Sequence, residues 1–233
     1  MNSPNTTCKT KTLLFLPGLA TKGRSKEIFL KSSEEIEKRG IPLELKFLDY
    51  PSHATQTITG FERDVERLDI EVKTLAEKGT KEIGLFGVCY GAYVASRYLS
   101  QNPKSPVAFS IFVEPYFGIK DIHPVYASLA QTIILLPKAI GRNIQLPVTN
   151  KGKVTKTIDL YSLAKFVNSQ FSPIKSTPSL AFMTNYHHFF NRESIESQLR
   201  NANTEIAQIS QEAIVSRNPI PFVEIIEPFL RKL

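Results

Sequence analysis

The sequence predicts an α/β protein built on a doubly wound, mainly parallel sheet of six strands. Short apolar runs alternate with segments of helical periodicity along most of the 233 residues. Most of these runs are apolar on both faces, as in parallel strands that helices cover from both sides. With 42% hydrophobic and 22% charged residues, the chain can bury one substantial core but is too short for two large domains. We therefore expect one domain over residues 1–233.

The first part of the chain supplies three strands and two helices. Strand Thr12–Leu16 is almost wholly apolar and ends before a Pro-Gly pair, and a helix of about Lys26–Arg39 ends at a glycine. A second strand covers Leu43–Leu48. Apolar residues then recur at helical spacing over Phe61–Ala76, and strand Glu82–Gly87 follows.

The second part repeats this alternation around one irregular segment. A helix of about Tyr90–Ser100 begins directly after the third strand and ends before a proline, and strand Val107–Val113 follows it. Regular alternation then stops over residues 118–177, which we interpret as a cap-like insertion. Most of its apolar residues are predicted to attach two short helices to the body of the protein, and the alternative is that they line an acyl pocket. The pattern resumes with strands Ser179–Thr184 and Thr204–Ile209 and helices Arg192–Asn201 and Pro221–Leu233.

A GxCxG motif joins the third strand to the next helix. It reads Gly87-Val88-Cys89-Tyr90-Gly91, and a nucleophile on so sharp a turn needs small neighbours because side chains would collide with the adjacent strand and helix. The start of the helix directs its positive dipole end at Cys89, which predicts a solvent-facing thiol with a lowered pKa. Cys8 lies in the polar N-terminal segment, so we expect no disulfide. The motif predicts Cys89 as a nucleophile.

With this motif in its strand-turn-helix context, the chain resembles the α/β-hydrolase superfamily over about residues 12–233. The elbow is similar to that of its cysteine-nucleophile members, such as dienelactone hydrolases. Polyhydroxyalkanoate synthases share a cysteine elbow but are much longer, so the chain looks more like a compact hydrolase or thioesterase. The resemblance implies an oxyanion hole formed by two backbone amides, that of Leu19 after the first strand and that of Tyr90 after the nucleophile.

The chain departs from the family in its histidine. The resemblance implies a histidine in the loop after the last strand, but residues 210–217 contain none. After the fifth strand, where the family usually has an acid, the sequence reads Asn185-Tyr186-His187-His188. His187 and His188 are therefore the candidate bases. Their strand lies two places from that of Cys89, about 10 Å away, so a bent loop would have to bring one imidazole to the thiol.

Three further residues are candidates for the same chemistry. Glu114 ends the strand next to that of Cys89, about 5 Å across the sheet, and is predicted to orient a histidine or contact substrate. A solvated charge at a strand end is the alternative. His53 lies in the loop after the second strand and is predicted to be structural, whereas His123 lies in the insertion with nothing to fix its position.

The positive charge of the chain is concentrated in the insertion. The formal net charge is +7, and residues 118–177 carry eight basic against two acidic residues, a net +6. A basic cap near Cys89 would attract an anionic acyl substrate, such as one bound to coenzyme A or to a carrier protein. A solvated, charge-rich surface is the alternative. No recognition motif accompanies the charge, so we expect no nucleic-acid partner.

These features predict a hydrolase or acyltransferase that acts on a small-molecule ester or thioester through an acyl-enzyme on Cys89. The alternative is an inactive protein of the same fold that binds a hydrophobic or anionic ligand, or a protein partner, in the former active site. The sequence has no dinucleotide fingerprint or metal-binding motif, so we expect no cofactor and no metal. It has no apolar run of membrane-spanning length and no secretory signal, which predicts a cytoplasmic protein.

Overall fold

The computed structural model describes residues 11–19, 22–54, 56–135, 144–150, 153–168, 177–183, 190–209 and 220–233. Within them the strands are β1 (Lys11–Leu16), β2 (Leu43–Phe47), β3 (Thr57–Ile58), β4 (Glu82–Val88), β5 (Val107–Val113), β6 (Gln145–Asn150), β7 (Lys153–Asp159), β8 (Ser179–Met183) and β9 (Glu205–Gln208). The α-helices are α1 (Lys22–Lys38), α2 (Glu62–Glu77), α3 (Tyr90–Gln101), α4 (Pro124–Leu135), α5 (Leu160–Val167), α6 (Arg192–Asn201) and α7 (Ile220–Lys232).

The six strands predicted from the sequence form one sheet in the order β2-β1-β4-β5-β8-β9. Every neighbouring pair is parallel, which confirms the predicted fold class. Because all six strands run in the same direction, their carboxyl ends meet at one edge of the sheet. That edge carries the start of α3, and the crevice outside such an edge is where open α/β sheets bind ligands.

Both faces of the sheet are buried, as the apolar strands predict. On β1, Leu14 and Leu16 point into one core cluster, while Leu13 and Phe15 point into another. The first cluster lies under α2, α3, α5 and α6, and the second under α1 and α7. This division into two apolar layers fixes the sheet between helices and leaves the strand ends to form the site.

The segment 118–177 contains a β-hairpin in addition to α4 and α5. Strands β6 and β7 pair antiparallel, and β7 also pairs in parallel with β3. The pairing is reinforced outside the ladder, since the Thr157 amide donates to the Gln56 carbonyl at 3.0 Å and the Thr57 and Thr157 hydroxyls are 3.1 Å apart. The sequence predicted two short helices here and not the hairpin. One of the two partners of β7 is β3, which lies 100 residues earlier in the chain. Because β3 has only two residues, it gives no periodic signal.

The two helices of this segment differ in how they pack. On α5, Ala164, Phe166 and Val167 are buried against the first core cluster. Helix α4 has no charged residue, yet Val125 is 67% and Leu135 84% exposed. Ile133 is the one residue of this helix that is buried. The expectation that apolar residues attach both helices to the body is met by α5 and not by α4.

Candidate active site

The GxCxG turn has the strained backbone of a nucleophile elbow. Cys89 lies between β4 and α3 with φ 51° and ψ −108°, a conformation that side chains with a Cβ rarely adopt. A Cβ at Gly87 would lie 2.5 Å from the Ala92 nitrogen, and one at Gly91 would lie 2.1 Å from the Leu16 carbonyl oxygen. Neither position has room for a side chain, so the two glycines allow α3 to begin directly against β1.

The environment of the thiol differs from the sequence-based expectation. Cys89 is only partly exposed, and burial raises the pKa of its thiol to about 11. A hydrogen bond from the Tyr90 amide favours the thiolate, while the nearby charge of Glu114 disfavours it. The lowered pKa predicted from the helix dipole is therefore wrong, because loss of hydration outweighs the amide. The thiol keeps its proton at neutral pH.

Glu114 lies beside Cys89, as its strand position predicts. Val88 and Val113 are partners in the β4–β5 ladder, so Cys89 and Glu114 follow adjacent strand ends, and the Cys89 amide donates to the Val113 carbonyl at 2.7 Å. Glu114 is 6% exposed and also has a positive φ of 51°. Its amide donates to the Phe182 carbonyl on β8 at 3.0 Å, which holds this strained residue in place. The Glu114 side chain is thus buried at the strand end next to that of Cys89.

The two predicted oxyanion donors lie at the start of α3 and in the turn after β1. The Tyr90 amide belongs to the first turn of α3, and Leu19 lies in the turn after β1, partly buried against the same core cluster as Cys89. The carbonyls of Leu16 and Pro17, just before that turn, lie against Gly91. The turn that carries the Leu19 amide is therefore adjacent to the start of α3.

Neither candidate base falls on a described residue, since His187 and His188 lie within residues 184–189. The segment starts after β8, two strands from β4 as predicted, and it ends at Phe190. Phe190 pairs with Ile122 in an isolated bridge and stacks on the Tyr116 ring at 5.0 Å. The described residues on either side of this segment, Phe182 on β8 and Phe190, therefore contact residues that follow β5. Most of the loop after β9 is also outside the described residues.

The other two histidines have separate surroundings. His53 is buried, with its ring 5.3 Å from that of Tyr50 and 6.3 Å from that of Tyr90, and its carbonyl accepts a hydrogen bond from Lys156. This agrees with the structural role predicted for it. His123 is exposed at the start of α4 and contacts the Tyr126 ring.

Three stacked aromatic rings, which the sequence did not reveal, include that of Tyr116, just after the strand end that carries Glu114. Tyr116 stacks between Tyr93 and Phe190, with ring centroids 5.0 Å from each. Burial raises the pKa of Tyr116 well above its ordinary value, so its hydroxyl is neutral and able to donate. The one signal in the sequence is position, since Tyr116 comes two residues after Glu114.

Sequence analysis also missed Asp64. This carboxylate has no exposed surface and belongs to the first turn of α2. Phe61, Leu68 and Val72 form an apolar stripe along α2. Asp64 lies on the same stripe, because it is three residues after Phe61. A charged residue within an apolar stripe is a signal that could have identified it.

The described residues contain neither a metal-binding cluster nor a membrane-spanning helix. Among the described residues, no group of three or more His, Cys, Asp or Glu side chains is arranged to hold a metal ion. None of the described helices is both long enough and apolar enough to cross a membrane.

Comparison with known proteins gives matches in structure only. No protein-family model matches the sequence, and no curated protein matches it. The structure of DcsB in complex with its substrate analogue aligns with a TM-score of 0.68 at 14% identity, over 95% of this chain and 90% of that one. A marine microorganism esterase aligns with a TM-score of 0.59 at 12% identity, over 94% of each chain. An esterase from Exiguobacterium antarcticum gives 0.58 at 12% identity, over 95% of this chain and 92% of that one. With the strand order and the strained elbow, these similarities show that the chain has the α/β-hydrolase fold.

Proposed function

We propose that this protein is a hydrolase or acyltransferase that acts on an ester or thioester through an acyl-enzyme on Cys89. The observation that carries the proposal is the strained Cys89 backbone between two glycines that have no room for side chains. Strain of this kind costs about 1–3 kcal/mol and persists at functional sites. Several proteins that share this fold are esterases, such as the marine microorganism esterase and that of Exiguobacterium antarcticum, which supports the reaction class.

In the proposed reaction, the Cys89 sulfur attacks the acyl carbonyl carbon and forms a C–S bond. The Tyr90 and Leu19 amides donate hydrogen bonds to the oxyanion. The thiol proton passes to His187 or His188 and then to the departing alcohol or thiol as its bond to the acyl carbon breaks. Water or a second nucleophile next attacks the acyl group and releases Cys89.

The raised thiol pKa makes the base more important than the sequence suggested. A thiol with a pKa of about 11 carries its proton at neutral pH, so a general base must take that proton during attack. Glu114 lies at the neighbouring strand end and would orient the histidine or contact the substrate. We assign the base to His187 or His188 because the residues at both ends of their segment contact the strands and rings next to Cys89.

For the substrate we propose a small acyl compound, as in thioesterases or dienelactone hydrolases. The net charge of +6 over residues 118–177 favours an anionic carrier, either coenzyme A or an acyl carrier protein. Part of this segment is close to the elbow, since the Phe166 ring on α5 is 6.0 Å from that of Tyr90 and 5.2 Å from that of Tyr93. Aromatic side chains next to the thiol would bind the acyl group.

The proposal is tested by following product release and intact protein mass with a chromogenic short-chain ester and a panel of acyl thioesters. We expect a stoichiometric burst and one acyl adduct on the wild-type protein and on Cys8→Ala, and neither on Cys89→Ala. A Cys89→Ala variant with the wild-type rate would refute a cysteine nucleophile. If no member of the panel acylates Cys89, the inactive ligand-binding alternative replaces the proposal.

A further inference from the structure

The Asp64 carboxylate is buried beneath the elbow and bound only by neutral donors. Its Oδ1 accepts from the Ser52 amide at 3.0 Å, and its Oδ2 accepts from the Ser52 hydroxyl at 2.5 Å and from the Tyr90 hydroxyl at 2.8 Å. Within the described residues it makes no ion pair. Burial raises the pKa of the Asp64 carboxyl, and the three hydrogen bonds lower it by less. Natural cores rarely keep such a group without a reason.

Tyr90 connects this carboxylate to the reacting sulfur. Its side chain is completely buried, and its hydroxyl donates to Asp64. The amide of the same residue directly follows Cys89 at the start of α3 and favours its thiolate. The position of the phenol therefore influences the position of the amide, because both belong to the first residue of α3.

Ser52 connects the same carboxylate to the loop after β2. Tyr50 and His53 flank Ser52, and their rings are 5.6 Å and 6.3 Å from the ring of Tyr90. A single carboxylate thus holds this loop through Ser52 and the start of α3 through Tyr90. The arrangement fixes the Tyr90 ring from two sides.

We propose that Asp64 is a positioning residue that acts through the Tyr90 phenol to fix the amide that contacts the Cys89 sulfur. Its part in catalysis rests on the function proposed above. Its effect on the thiol can be measured without any substrate, since Asp64, Tyr90 and Cys89 all belong to this chain and Asp64 accepts from the Tyr90 hydroxyl at 2.8 Å. Asp64 touches neither the sulfur nor the acyl group, so it is not itself a catalytic residue.

The test compares the rate at which iodoacetamide alkylates Cys89 in Asp64→Asn, Tyr90→Phe and the double variant, all in a Cys8→Ser background. A loosened amide stabilises the thiolate less, so each single variant should alkylate about threefold to tenfold more slowly at pH 9. The double variant should be no slower than the slower single variant, because both substitutions break the same link. Tyr98→Phe is the matched control. It removes a buried hydroxyl that pairs with Ser105 at 2.9 Å near the other end of α3, and it should alkylate at the wild-type rate.

The sign of the change separates positioning from simple charge. Glu114 and the Tyr90 amide influence the pKa of the thiol, and the thiol in turn influences that of Tyr116. The charge of Glu62 raises the pKa of Asp64, and the charge of Asp64 raises that of Tyr50. If Asp64 acted only as a distant negative charge, its removal would favour the thiolate and speed alkylation. Faster or unchanged alkylation in folded Asp64→Asn, or additive effects in the double variant, would overturn the proposal.

Two further results keep the two proposals distinct. If Asp64→Asn does not fold, Tyr90→Phe decides alone, since it removes the same hydrogen bond from the other end and keeps the ring. If wild-type Cys89 takes no acyl group but the alkylation pattern appears as expected, positioning by Asp64 stands and the proposed acyl transfer fails. If wild type and Asp64→Asn are both acylated normally and Asp64→Asn is alkylated at the wild-type rate, the proposed acyl transfer stands and positioning by Asp64 fails.

Discussion

Backbone strain at the residue scale is concentrated where the chemistry is proposed. Within the described residues, Cys89, Glu114 and Asn203 are the non-glycine residues with positive φ, and the first two lie side by side. Strand-to-strand hydrogen bonds from the Cys89 and Glu114 amides hold both conformations. A side chain with a Cβ is retained at each position although glycine would remove the strain, which favours a functional role for both.

This strain predicts that, at position 89, glycine gives a more stable protein than alanine, which is the opposite of the usual order. At an ordinary position glycine lowers stability relative to alanine by about 0.5–1 kcal/mol. At a φ of 51° alanine keeps the strain and glycine removes it, so Cys89→Gly should be more stable to unfolding than Cys89→Ala by about 1 kcal/mol. Urea denaturation of the two variants measures the difference. A less stable glycine variant would show that the turn is not strained.

The raised thiol pKa predicts the pH dependence of Cys89 alkylation. Below a pKa of about 11, the thiolate fraction rises tenfold with each pH unit, so the rate constant should rise tenfold per unit from about pH 7 to 10. Iodoacetamide kinetics in a Cys8→Ser background give this profile. A plateau below about pH 8.5 would contradict it and would indicate a thiolate paired with an imidazolium, which His187→Ala and His188→Ala would then locate.

At the scale of elements, the main sheet could be predicted and the segment at residues 118–177 could not. Strands such as β1 and β5 are buried on both faces, so their apolar runs are unmistakable, and their predicted ends agree with the structure to within a residue. Strand β7 has the polar sequence Lys153–Asp159 and pairs with β6 and β3. Its β-branched residues Val154, Thr155, Thr157 and Ile158 favour a strand, but they form no apolar run of the kind that identifies β1 and β5.

A buried carboxylate also fixes one element to another. Asp121 accepts hydrogen bonds from the Phe117 amide at 2.8 Å, the Ser194 hydroxyl at 2.5 Å and the Gln198 side chain at 2.6 Å, which joins the turn after β5 to α6. We expect Asp121→Ala to lower the free energy of unfolding by about 2–4 kcal/mol, because one buried and two partly buried donors lose their acceptor. Ser194→Ala removes one donor and should cost about 1 kcal/mol. Chemical denaturation measures both, and a cost for Asp121→Ala no larger than that for Ser194→Ala would contradict this expectation.

At the scale of the whole molecule, strand order was the most informative prediction. It placed Glu114 beside Cys89 and the two histidines two strands away, and the sheet has this order. The direction of the thiol pKa could not be predicted in the same way. It depends on how deeply the surrounding loops and helices bury the sulfur, which no local pattern encodes.

The pairing of β3 with β7 makes residues 118–177 inseparable from the rest of the fold. Ile58 on β3 is completely buried, and its ladder partner is Ile158 inside that segment. Excision at the two ends of the segment would leave β3 without a partner strand and uncover Ile58. A chimera that exchanges this segment between proteins of the same fold must therefore transfer residues 56–58 with it, because β3 and β7 belong to one ladder.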